Sequence, residues 1–335
     1  MAAEGFKWTP ESLSKTFVTY HKELIVMPML GMSELTQHCS IRTGIRYKDI
    51  VTQMGGNFEI GNYKKDKKGT GTTEFQQRTF QTYFGNDVEP IDPNSIYESI
   101  LGSNITKGDG LKKVPIVLQV CSYIMKKYGE NLLANAFTAK HDPTKFESTS
   151  DYFDSFGAII DKDISGNNEV NKVLISEEIG NLEYGTSKID ENNAEDIIKN
   201  FFWHRNKKLR TQKLKYFMSD WAYHCYCEDY QISHGALPYN QTYDKKTLEG
   251  ASNVEIVPLS CVPDDFLLLT PKSNIFCLYN QKTDDETFVV EKSNDNHYDV
   301  DMIANMFYGE QFQSVSPEVF AVYKYKEKPA ASTGA

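Results

Sequence analysis

With 335 residues, 24% of them charged and 40% apolar, the chain is long enough to bury a sizeable core, and its ordinary charge content sets aside wholesale disorder. Thirty-six basic against forty-six acidic side chains give a net charge of −10, the wrong sign for a polybasic nucleic-acid binder. The longest apolar run, residues 24–30, is seven residues long and interrupted by Pro28, against about twenty needed to cross a bilayer; the first residues lack the basic head and apolar stretch of a secretory signal, so a cytoplasmic product is expected.

Residues 11–39 read as an arm with one short helix, whose apolar groups fit no sustained period and must pack on something else. Residues 41–54 and 74–84 suit strands, with Ile45, Tyr47, Ile50, Phe75, Phe80 and Tyr83 supplying β-branched and aromatic groups. Together they predict a long antiparallel hairpin whose tip, residues 64–71, carries Lys64, Lys65, Lys67 and Lys68 with two glycines. At about 3.3 Å per residue the tip would stand roughly 30 Å from the body.

Pro115 then opens a helix of about 25 residues, in which Ile116, Val120, Ile124, Tyr128 and Leu132 recur at four-residue steps. A second helix follows Ser150. A third opens at Asn193, an expected N-cap, with Glu195 and Asp196 in its first turn. A fourth is expected from Thr211, carrying Leu214, Phe217, Met218, Trp221, Ala222 and Cys225 as one stripe and ending near Gly235. Strands are expected at 254–259, 266–270, 275–279, 288–290 and 319–325, and residues 329–335 as a frayed tail. Helices in the middle and strands late make the fold class α+β. Charge divides the chain too: residues 1–113 hold 14 basic and 13 acidic side chains, the remainder 22 and 33.

Signatures of chemistry fail one by one. His224, Cys225, Cys227 and His234 are the tightest metal-type cluster, but on a helix Cys225 and Cys227 point about 200° apart and cannot share one zinc ion. Asp161, Asp163, Ser165 and Gly166 begin like a calcium loop, yet Lys172 stands where the bidentate carboxylate belongs, so a polar helix end is the better reading. No phosphate-loop, zinc-peptidase or serine-hydrolase string occurs, and no metal or cofactor is assigned. Asp264 with Asp265, and the acids at 284–286, offer carboxylates for acid and base work, though adjacent acids beside turns are usually solvated. A basic cluster of Arg205, Lys207, Lys208 and Arg210, with Trp203 and His204 ahead of it, could grip a phosphate backbone or form a solvated face; because the surrounding body is acidic, contact with an acidic neighbouring subunit is the favoured reading.

This order of parts resembles the major capsid protein of tailed double-stranded DNA bacteriophages, whose fold is shared with encapsulins and the herpesvirus capsid floor. The likeness sharpens at Leu248-Glu249-Gly250 before the strand at 254–258, at Val262-Pro263-Asp264-Asp265 before the strand at 266–269, and at Ser316-Pro317-Glu318 before the last strand. The resemblance implies an N-terminal arm (1–40), an extended hairpin loop (41–90), a peripheral domain (91–144 and 263–328) with a spine helix (112–140), and an axial domain (145–262). It further implies a structural, non-enzymatic subunit forming hexamers and pentamers of an icosahedral virion head around double-stranded DNA, assembled in the cytoplasm of a bacterial host. Separate scaffolding, portal and maturation proteins would be its partners. Phe75, Phe80 and Tyr83 would contact adjacent copies, with the four tip lysines setting register. An encapsulin-like shell is the nearest alternative, and a hydrolase using Asp264 and Asp265 the alternative of another class.

Overall fold

The computed structural model describes residues 27–57, 62, 63, 65, 72–91, 116–166, 182–185, 187–235, 241, 242, 245–279, 288–293 and 300–325. The expected tail at 329–335, most of the arm, and Lys64, Lys67 and Lys68 lie outside these residues.

Two short helices, α1 (Met27–Gly31) and α2 (Ser33–Thr36), lead into strand β1 (Ser40–Thr43). The long helix α3 (Ile116–Asn135) lies against α1, and the crossing depends on absent side chains. A Cβ on Gly129 would run into the Pro28 carbonyl, and one on Gly31 into that of Lys126. Met32, Leu35 and Cys39 are buried in the main core, so this stretch rests on its own molecule.

The remaining helices are α4 (Phe156–Ser165), α5 (Ala194–Trp203), α6 (Lys207–Arg210) and α7 (Asp220–His234). Ser155 caps α4 by accepting from the Ala158 N–H at 3.3 Å, and Ser219 caps α7 by accepting from the Ala222 N–H at 3.0 Å. Gly235 ends α7 in the left-handed conformation, as expected from the sequence. Asn193 precedes α5 but does not cap it; Asp229 on α7 instead accepts from the Glu195 N–H at 2.8 Å.

A seven-stranded sheet runs in the order β5 (Leu182–Gly185), β14 (Ala321–Tyr325), β10 (Phe266–Thr270), β6 (Leu214–Met218), β9 (Ala251–Pro258), β8 (Lys245–Leu248), β7 (Gln241–Thr242). The start of the expected fourth helix is therefore a strand. Leu214, Tyr216 and Met218 face one core with α5 and α7, whereas Phe217 faces the other with α3 and α4. A strand buried on both faces is apolar at nearly every position, and such a run imitates helical spacing. β10 and β14, from the stretch expected to be peripheral, share this sheet with β6 and β9, from the stretch expected to be axial.

A second sheet is organised by β13 (Val300–Phe312), a strand not among those expected. One edge of β13 carries β4 (Tyr83–Ile91); the other carries first β12 (Phe288–Lys292) and then β11 (Ile275–Tyr279). β1 adds to β11 in parallel. The inner face of this sheet, with Cys277, Tyr308 and Phe312, closes the main core against α3 and α4.

Candidate assembly surface

The expected hairpin is present as β2 (Lys48–Asn57) and β3 (Thr72–Gln81), paired in register from Lys48 opposite Gln81 to Asn57 opposite Thr72. It is shorter than the 41–90 span: its legs continue into β1 and β4, which belong to the β13 sheet. Between β1 and β2 the chain turns through Gly44 (φ 87°) and Tyr47 (φ 65°), the only non-glycine residue of positive φ among the described residues. Between β3 and β4 stands only Thr82, whose N–H donates to the Tyr47 carbonyl at 2.9 Å and whose hydroxyl donates to that of Ile45 at 3.2 Å.

The root of the hairpin is tied down by packing and charge. Phe80 is 1% exposed and packs with Ile45 and Leu278, its ring 5.5 Å from that of Phe276 and 5.3 Å from the Arg42 guanidinium. Arg42 also pairs with Asp49 at 2.6 Å. Arg78 donates to Asp163 at 2.9 Å and to the Gln311 side chain at 3.0 Å, fastening β3 to the end of α4. Asp163 is thus an anchor and not the start of a calcium loop. Burial pushes its carboxyl up, against the pull of Arg78. Tyr83 is buried and donates to Asp154, which also accepts from Lys162 and from the His141 N–H. Burial opposes ionisation of Asp154, yet the hydrogen bonds from Lys162 and Tyr83 hold its carboxyl below the ordinary range.

Phe80 and Tyr83 therefore do not point at adjacent copies, as the sequence reading expected. Both are interior groups, because the hairpin leaves the sheet beside them and the sheet face needs covering there. Phe75 stands opposite Met54 in the ladder, and Lys65 is exposed beside Tyr63, which is 92% exposed.

The hairpin root covers only half of the outer face of the β13 sheet, over Phe276 and Leu278. Among the described residues the other half is partly exposed. There Phe84 stands opposite Phe307 and Val88 opposite Ile303, with Val289 beside them on β12. Phe84 and Val88 are about half exposed, at 49% and 48%. Tyr47 stacks edge-on against Phe307 at 5.2 Å, and Phe84 lies 4.9 Å from the same ring, so the strip is continuous with the hairpin root. An apolar strip on the partly exposed face of a sheet is the kind of surface that marks a protein contact. The strand expected over 74–84 continues through Val88, where Gly85, Asn86 and Asp87 hide it from local pattern.

The basic cluster is largely spent within the chain. Arg205 pairs with Glu183 and lies 4.8 Å over the Phe201 ring, Lys208 pairs with Glu318, and the Arg210 guanidinium lies 5.7 Å over the Trp203 ring. Lys207 is exposed.

No protein-family model and no curated protein matches this chain. Solved structures do. The capsid of the native GTA particle aligns over 88% of this chain and 91% of its own, at a TM-score of 0.58 and 12% identity. The capsid of cyanophage A-1(L) covers 89% and 92%, at 0.57 and 12%. The satellite phage P4 procapsid covers 92% and 100%, at 0.53 and 10%. The chain has the tailed-phage major capsid fold. That fold agrees with the α+β class read from the sequence and with the resemblance drawn from its order of parts.

Two grooves on this capsid fold bear on chemistry. One, of about 440 Å³, lies between β4 and α3, with Phe84, Met125, Tyr128, Leu132 and the exposed Phe146 on its walls. Tyr128 on α3 spans to Asp87 on β4 at 2.7 Å. The other, of about 850 Å³, includes Asp264 and Asp265. Asp265 accepts from the Ile189 N–H at 2.9 Å, and the neighbouring Asp161 is paired with Lys324, so these acids hold backbone and charge in place. On α7, Cys225 is buried and burial pushes its thiol up to about 11, while the His234 ring stacks on Tyr230. Among the described residues no group of three or more His, Cys, Asp or Glu side chains is arranged to hold a metal, and no helix is long and apolar enough to cross a membrane.

Proposed function

We propose that the chain is a structural subunit that assembles with copies of itself into the hexamers and pentamers of a phage head, with β2–β3 as the extended loop and α3 as the spine helix. The observation that carries this reading is the hairpin itself: a ladder ten residues long, whose fastenings among the described side chains lie at its root, beside a partly exposed apolar sheet face. Shell subunits need large contact area for their mass, and an element reaching beyond its own body supplies it. Apolar groups such as Ile50, Phe84 and Val88 would provide the adhesion, and the tip lysines, each ion pair worth about 0–1 kcal/mol when exposed, would set register. A virion location, separate scaffolding and portal proteins, and enclosed double-stranded DNA belong to the same reading. So does a structural, non-enzymatic role.

Negative-stain images of the purified protein should show rings, tubes or shells, and deletion of residues 62–72 should weaken them. Strictly monomeric behaviour at high concentration across several salts overturns the proposal. Particle contents separate it from a protein-filled compartment: genome-length DNA protected from nuclease supports the phage head, whereas an enclosed enzyme supports an encapsulin-like shell.

A further inference from the structure

The groove of about 440 Å³ between β4 and α3 falls in the size range of a small-molecule site. Met125 and Leu132 of α3, 1% and 2% exposed, and Met306 of β13 give it apolar walls. Four aromatic rings border it: Phe84 on β4, Tyr128 on α3, and Phe146 and Tyr152 from the chain between α3 and α4. Phe146 is 89% exposed, although the neck of its loop is pinned where the Lys140 N–H donates to the Ser150 carbonyl at 2.9 Å and the Asp142 N–H to that of Asp151 at 3.0 Å. A large ring held in water beside an apolar groove gains by being covered.

The polar lining consists mainly of acceptors. Four carboxylates, Asp87, Asp142, Glu147 and Asp151, face one lysine, Lys145. Lys145 stands 3.8 Å from Asp142 and 3.6 Å from Asp151, and among the described residues Asp87 and Glu147 have no basic partner. Asp87 is held in place from two sides. Its Oδ2 accepts from the Tyr128 hydroxyl at 2.7 Å and its Oδ1 from the Val88 N–H at 3.0 Å, which leaves each oxygen a lone pair. Burial, the bond to Asp87 and the charges of Asp87 and Glu89 push the Tyr128 phenol up, so it remains a donor to that carboxylate. A carbonyl only accepts, so the His141 Nδ1, 3.0 Å from the Tyr152 carbonyl, carries a proton, and Nε2 of the neutral ring is a further acceptor. An acidic groove with aromatic walls rejects anions and favours a cation that carries an apolar body.

We propose that this groove binds a small organic ammonium ion, its apolar part against Met125 and Leu132 and its charged head between the Asp87 carboxylate and the aromatic rings. The ammonium N–H groups donate to a carboxylate already oriented by Tyr128 and Val88. The ring faces add an attraction that a neutral head of the same shape cannot draw on. The site lies within one subunit and does not depend on the assembly reading.

The test is isothermal titration calorimetry of the full-length protein at low salt with three probes that share one apolar body: phenylbutylammonium, phenylbutanol and phenylbutyrate. The ammonium should bind about tenfold more tightly than the alcohol, and the carboxylate should not bind. Asp87→Asn should weaken the ammonium about tenfold and leave the alcohol unchanged, and Glu147→Gln, in the exposed loop, should weaken the ammonium about twofold. Phe146→Ala should weaken ammonium and alcohol alike. The proposal is overturned if the three heads bind equally, if none binds at millimolar concentration, or if both carboxylate variants leave the ammonium affinity unchanged. A seat for a second copy predicts instead that saturating phenylbutylammonium blocks particle formation, and that result overturns the free-ligand reading. The comparison of heads uses the unmodified chain, so it decides the matter even where a variant fails to fold.

Discussion

Truncating Phe80 to alanine distinguishes an interior anchor from a contact between subunits. Phe80 is 1% exposed in a small satellite cluster with Ile45 and Leu278. Removing a buried phenylalanine side chain costs about 3–5 kcal/mol, and the lower end applies because so small a cluster can partly collapse. Loss of the Arg42 contact adds about 0.5–1 kcal/mol. The ties from Thr82, from Gln311 to the Thr79 carbonyl, and from Arg78 to Asp163 remain, so the root should open more often without the subunit unfolding. A local loss of about 3 kcal/mol corresponds to roughly a hundredfold increase in opening. Amide hydrogen exchange on the unassembled subunit should show that increase at β2, β3 and the turn between β1 and β2, with little change at β6 and β10. Phe80→Leu should restore most of the protection. If exchange and urea unfolding of Phe80→Ala match the parent while assembly is lost, the residue serves a neighbouring copy and the packing argument is wrong.

Further predictions follow from other contacts. Gly129→Val should push α1 away from α3, because its first added carbon meets the Pro28 carbonyl; proteolysis near residues 27–36 should quicken while the α7 region stays resistant. His38 sits against Lys215, whose Nζ is 3.2 Å from its Nδ1, with Glu255 at 3.6 Å and Lys272 nearby, and burial followed by Lys215 pulls its pKa down to about 4. The unfolded chain takes up this proton near 6.5 and the folded one only near 4, so the contribution of His38 is complete above about 6.5 and is lost as pH falls to about 4. The acid limb of a stability-against-pH curve should flatten over that window in His38→Gln. An unchanged limb would refute this assignment. The single Tyr152 O–H lies between the carbonyls of Tyr83 at 2.9 Å and Met306 at 2.6 Å and donates to the nearer, so Tyr152→Phe should lower stability by about 1–2 kcal/mol in urea titration.

The parts most legible in the sequence were those in which one physical demand dominates. The α3 helix announced itself by four-residue recurrence, and the strands at 266–270 and 275–279 by short apolar runs between turns. β13 stayed hidden because its inward row of Met302, Ala304, Tyr308 and Phe312 contains Glu310, while its outward row mixes Asp301, Ile303, Asn305 and Phe307. Glu310 is tolerated there because it accepts from the Phe156 N–H and the Tyr308 hydroxyl, partners that no local pattern reveals. Phe80 and Tyr83 were read as outward-facing for a related reason. A hairpin sequence shows which residues are apolar, but whether they cover the chain's own sheet or another's depends on where the legs enter it.

The two legs enter far apart. β1 joins the β11 edge through four residue pairs, whereas β4 lies along β13 through nine, and only Thr82 separates β4 from β3. Tension applied to the far end of β2–β3 is thereby split between two seams of very different strength. Directed along β4 it meets a lap joint in shear, where many bonds must fail together; directed along β1 it meets one that yields early. A subunit tugged by its surroundings would give way first on the arm side, leaving the β4 seam as the cable that keeps the molecule in one piece.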